Sequence, residues 1–149
     1  MTWAVFGKQQ ENVSGYSNEE FLSKGVDLFF ECLHPDEIDI ILNHIYPYAI
    51  EFIANTIQEQ FNKTLIQYNY RFKKKSGEYI NLMEQVYILE TDLSFKPTLL
   101  LGNIITLDNG GVIPMRLSIK LNNNISETIL SKSYTKPSSF IKNITVREM

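Results

Sequence analysis

Two histidines, one cysteine and a scatter of carboxylates and tyrosines are the groups through which this chain could do chemistry. His34 and His44 do not stand in a metal spacing such as His-Glu-x-x-His. Cys32 is the only cysteine, so neither an internal disulfide nor a Cys-rich metal cluster can form, and a buried, inert thiol is expected. Glu84 and Glu90 share one strand-like stretch and could be paired as acid and base. Neither has an orienting partner visible in the sequence, so both read as solvent-facing or interface carboxylates. There is no glycine-rich phosphate loop and no Gly-x-Ser-x-Gly elbow. The expectation is no catalytic residue, no metal and no cofactor. Phe52, Tyr68, Tyr70 and Tyr79 could instead line an apolar ligand pocket, the phenol groups fixing orientation. Filling of the core by the same aromatics is the competing reading.

The elements that would position these groups follow from periodicity. Ala4 to Val13 reads as a short strand interrupted by polar residues at Lys8 to Asn12. Gly15-Tyr16-Ser17 then leads into a capping box, Ser17 with Glu20, which starts a short helix. His34-Pro35-Asp36-Glu37 places proline and two acids for a first helical turn, and His34 belongs to that entry. From there Ile38, Ile41, Leu42, Ile45, Ala49, Phe52, Ile53 and Ile57 recur at spacings of three and four, an apolar stripe along one long helix. Pro47 lies within it and should kink it. His44 falls beside the stripe, partly exposed.

The pattern then alternates. Ile66, Tyr68, Tyr70 and Phe72 share one face of a strand over Thr64 to Lys73. Ser76-Gly77 turns it, with Lys73 to Lys75 expected as a solvated hairpin tip. Glu78 to Glu90 is a second strand, apolar on both faces and so placed centrally or covered by a partner. Thr98 to Leu107 is a third, ending in the Asp108-Asn109-Gly110-Gly111 turn. Met115 to Leu121 and Glu127 to Tyr134 form a further hairpin, and residues 136–143 read as a Pro/Ser linker.

At 149 residues the chain suits one domain, and 44% hydrophobic with 21% charged is the balance of a globular one. A net charge of -3 argues against this segment gripping a phosphate backbone. No apolar run reaches the roughly 18 residues that cross a bilayer, and the start lacks a signal-peptide pattern, so a cytoplasmic location without membrane attachment is expected.

In order, GYSNEEF, LHPDE opening a long helix, YNYRFKKKSGEYI as a hairpin and PTLLLGNIITLD as a strand resemble a PAS domain over about residues 5 to 108. The resemblance implies an α+β fold: an antiparallel sheet with helices on one face, including the long kinked helix, plus an extra C-terminal hairpin at about 112–135. Thr106-Leu107-Asp108 stands where Asp-Ile-Thr is usual, so the signal-relaying contact of that motif is not carried over. Some PAS domains bind haem through a helix histidine, but His44 beside the stripe fits a structural role better. Cys32, in Phe-Phe-Glu-Cys-Leu-His, does not match the Asn-Cys-Arg context of the light-sensing flavin type.

The last residues, Ile144-Thr145-Val146-Arg147-Glu148, spell another capping box and are similar to the opening of a LuxR-type helix-turn-helix domain, Leu-Thr-x-Arg-Glu. Thr145, Arg147 and Glu148 would then begin a DNA-binding domain that is missing here, residues 1–135 being the sensory domain. The function so implied is control of that attached domain through a small-molecule ligand or homodimerisation. A ligand-free interaction or dimerisation module is the alternative. A cone-shaped carrier or enzyme ranks last, because the inward face of the first strand offers no acid or histidine.

Overall fold

The computed structural model describes residues 6–55, 63–108, 113–122, 127–134 and 145–148. Five α-helical segments come first: α1 (Gln10–Ser14), α2 (Asn18–Lys24), α3 (Val26–Cys32), α4 (Pro35–Ile40) and α5 (Tyr46–Ala54). Six strands follow: β1 (Thr64–Lys73), β2 (Tyr79–Thr91), β3 (Pro97–Asp108), β4 (Met115–Asn122), β5 (Glu127–Tyr134) and β6 (Thr145–Glu148). They form one antiparallel sheet in the order β3-β2-β1-β4-β5-β6. This is the expected α+β architecture, with the extra hairpin β4–β5 added beside β1.

Local chemistry explains the helix ends. The Ser17 hydroxyl accepts from the Glu20 amide, and the Glu20 carboxylate accepts from the Ser17 amide, so the α2 capping box is formed as the sequence implied. His34 caps α4, its Nδ1 accepting from the Asp36 amide at 3.1 Å, and Pro35 sits where its missing N–H costs nothing. Residues 10–14 are a helix, not the expected strand; Ala4 and Val5 lie outside the described residues. Gly15 ends α1 in the left-handed region at φ 79°, and its amide returns to the Glu11 carbonyl. That positive φ overrides the strand-like alternation of so short a stretch.

Pro47 acts through a widened turn. Between α4 and α5, residues Ile41–Ile45 adopt a π-helix, and the Tyr46 amide reaches back to the Ile41 carbonyl. A proline ring crowds the carbonyl four residues earlier and offers no donor to it, and one turn of π-helix absorbs that misfit without ending the helix. The apolar stripe stays largely in phase: Ile41, Ile45 and Ile53 are buried, while Leu42 is exposed and does not belong to it. Ile57 lies outside the described residues.

The core lies between these helices and the face of the sheet that carries Ile66, Tyr68, Tyr70 and Phe72, all buried, joined by Leu117 and Ile119 of β4. Where β4 stops, the α3–α4 junction takes over the free edge of β1. Leu33 bridges Phe72, and the His34 amide donates to the Arg71 carbonyl. The tip of the β1–β2 hairpin is not simply solvated. The Lys75 amide donates to the Ser14 carbonyl, Lys75 Nζ lies 2.9 Å from Glu20 Oε1, and Lys74 pairs with Glu78, so the tip is docked on α1 and α2.

At the other end, Thr145–Glu148 pairs antiparallel with β5 as strand β6. The helix announced by its capping-box pattern is therefore not formed. The ladder with β5 satisfies main-chain groups that the helix would have used. The turn at 109–111 and the linker at 136–143 fall outside the described residues.

Candidate functional site

Register places one carboxylate among the buried tyrosines. Glu84 of β2 stands directly opposite Tyr68 of β1, and Tyr70 stands opposite Leu82, one step along the same face. Tyr68 Oη donates to Glu84 Oε2 at 2.8 Å and Tyr70 Oη donates to the same oxygen at 3.2 Å. Tyr46, at the start of α5, brings its hydroxyl to 3.4 Å from that of Tyr68. With Tyr68 donating to Glu84, Tyr46 is the donor in that contact, and the chain Tyr46 to Tyr68 to Glu84 runs from helix to sheet.

Ring contacts pack the cluster together. The Tyr46 and Tyr68 rings meet edge to face at 6.1 Å, and the Tyr68 and Tyr70 rings lie 5.5 Å apart. Tyr68 and Tyr70 are buried, so desolvation pushes both phenols well above their ordinary range, with the Glu84 charge adding to it. Desolvation also raises the Glu84 carboxyl, against the two tyrosine hydrogen bonds that favour its ionised form.

The two Glu84 oxygens differ. Oε2 takes both phenols; Oε1 accepts from no group among the described residues. Oε1 faces β3, where Gly102 leaves room for it. A methyl group at Gly102 would stand 3.3 Å from Glu84 Oε1. Beside it on the same face run Leu100 and Ile104, both exposed. The arrangement offers a hydrogen-bond acceptor, partly desolvated, at the border of an uncovered apolar strip. It suits a ligand with an apolar body and a donor group.

Of the four aromatics expected to line a pocket, the structure brings Tyr68 and Tyr70 together. Phe52 is half-buried on α5 and packs against the core. Tyr79 pairs in register with Lys73, on the strand face opposite to Tyr68 and Tyr70, and its ring lies 4.9 Å from that of His34. Sequence reasoning missed Tyr46 and gave Glu84 no orienting partner. The signal for Glu84 was present: it is in phase with Ile80, Leu82 and Val86, so it had to point with them toward the tyrosines. His44 is exposed, and His34 has its Nδ1 engaged as a cap. Among the described residues no three His, Cys, Asp or Glu side chains group as a metal site, and no helix is long and apolar enough to cross a membrane.

No curated protein and no solved structure matches the chain. A family model described as PAS fold matches residues 6–104, from the start of the helical layer almost to the end of β3.

Proposed function

The chain belongs to the PAS fold family, whose members are in general sensory and signalling domains, and we propose on that premise that it is the sensory part of a transcriptional regulator. A small molecule with an apolar body docks on the strip formed by Leu100 and Ile104 and gives a hydrogen bond to Glu84 Oε1. The observation that carries this reading is that unshared oxygen, held in place by Tyr68 and Tyr70 and facing an uncovered strip. To signal, the ligand must bind two states of the domain unequally. The Tyr46 contact supplies a route, because a donor that competes for Glu84 alters the sheet-to-helix hydrogen bond at the base of α5.

The output half of the proposal rests on the last residues. Thr145, Arg147 and Glu148 stand where a LuxR-type helix-turn-helix domain would open, and the acidic balance of the chain leaves DNA contact to such an attached domain. Within a longer chain, residues after Met149 would supply the turns that β6 lacks. Paired half-sites on DNA would suit a homodimer. A ligand-free dimerisation module is favoured by a different observation, the bare apolar edge at β3.

Native mass spectrometry of the protein purified without added ligand separates the two readings. A retained small molecule, lost on Glu84→Gln, supports the sensory one. An empty wild-type protein that nonetheless dimerises leaves the interaction module standing. Sequencing the source transcript beyond the Met149 codon tests the attached domain directly: a stop codon there ends that part of the proposal.

A further inference from the structure

Strand β3 is an edge of the sheet among the described residues, paired with β2 alone. Six of its aliphatic side chains, Leu99, Leu100, Leu101, Ile104, Ile105 and Leu107, each expose between 37% and 51% of their surface. Both faces are bare, since register sends Leu100 and Ile104 to the helix side and Leu101 and Ile105 to the other. Natural edge strands carry devices against pairing: inward charges, prolines, bulges or a short length. Here no charged residue stands between Lys96 and Asp108, Pro97 is only the first residue of the strand, and the irregularities of β3 against β2 fall near its ends, at Thr98 and Leu107, leaving Leu99 to Thr106 regular.

The sequence of β3 is complementary to itself. Two copies pairing antiparallel about a two-fold axis share one sheet face, so opposed residues must lie an even number of positions apart and the axis passes through a residue. With Gly102 on that axis, Leu100 faces Ile104 and Leu99 faces Ile105, all within the regular stretch of the strand. Each is a favourable cross-strand pair of matched character. Glycine at the centre lets the two backbones meet without side-chain conflict beside Glu84.

We propose that β3 pairs with β3 of a second copy, antiparallel and centred on Gly102, joining two six-stranded sheets into one. This deepens the dimer arm of the proposed function and does not depend on the ligand at Glu84. The register predicts its own rescue. Leu99→Glu and Ile105→Lys each put a charge opposite an aliphatic residue twice in the dimer, while the double variant puts glutamate opposite lysine twice. Within one chain the two positions are six residues apart along the strand and cannot compensate each other.

Sedimentation equilibrium of the full chain tests this. The wild-type protein is expected to dimerise, each single variant to dissociate at least about tenfold more readily, and the double variant to recover most of the loss. A monomeric wild type, or single variants that dimerise as well as wild type, overturns the proposal. A double variant no better than the singles overturns the register. Should the variants fail to fold, hydrogen exchange on the wild type decides. Amides of residues 98–106 must gain protection with rising protein concentration, and exchange that ignores concentration refutes the seam. Ligand retention by native mass spectrometry is read separately, so loss of the dimer and loss of the sensory reading are distinguishable.

Discussion

Glu37 of α4 holds Arg71 of β1 at two points: Oε2 accepts the Arg71 main-chain N–H at 2.6 Å and Oε1 accepts its Nε–H at 2.7 Å. Glu37 is buried, and the main-chain donor it satisfies lies on the stretch of β1 that β4 does not reach. Removing the carboxylate strands a main-chain donor and a guanidinium together. Glu37→Ala should therefore destabilise the fold by about 3 kcal/mol, the scale for breaking a buried pair from one side. Urea unfolding measures it; a loss below about 1 kcal/mol would show that water replaces both bonds.

The Ser17–Glu20 capping box makes a smaller and separable contribution. Ser17→Ala removes the acceptor of the Glu20 amide at the start of α2 and should cost about 1 kcal/mol. Ser17→Gly, which retains the cap's backbone preference, should cost only a few tenths. Equal losses in the two variants would mean that the hydroxyl bond is not what stabilises the helix.

These two cases mark what the sequence could and could not disclose. Capping is local, so Ser17, Glu20, His34 and Pro35 announced α2 and α4 from residue types alone. Alternation likewise marked β1 and the buried faces of Tyr68 and Tyr70. The partnership of Glu37 with Arg71 joins residues 34 positions apart, and no local rule encodes it. Glu84 lay between these extremes. Its phase with Leu82 and Val86 pointed it inward, but that Tyr68 would stand opposite depended on the hairpin register. Thr145 to Glu148 shows the reverse failure: a local signal for a helix yields to strand pairing with β5, a non-local partner that residue types alone do not announce.

Cys32 should be chemically quiet. It is buried in α3, and burial raises its thiol above the ordinary range, as burial also pushes the Tyr16 phenol up to about 12. A water-soluble thiol reagent at pH 8 should modify the native protein at least about a hundredfold more slowly than the urea-unfolded chain, because reaction waits on opening. Comparable rates in both states would place Cys32 in a site that breathes open readily.

Glu84 should make stability fall as pH rises. Burial raises its carboxyl in the folded protein, so between the unfolded and folded titrations the native state binds the proton more tightly. Stability from this group is then fully present below the unfolded carboxylate range and is lost as pH climbs through the raised folded value. Glu84→Gln keeps an acceptor for Tyr68 and Tyr70 but has no proton to lose. The variant should match or exceed wild type at pH 7 and lose that advantage as pH falls toward 4. Urea midpoints across that range provide the measurement. A wild-type excess in stability at pH 7 that vanishes on acidification would mean instead that the ionised carboxylate, bound by both phenols, is the form the fold prefers.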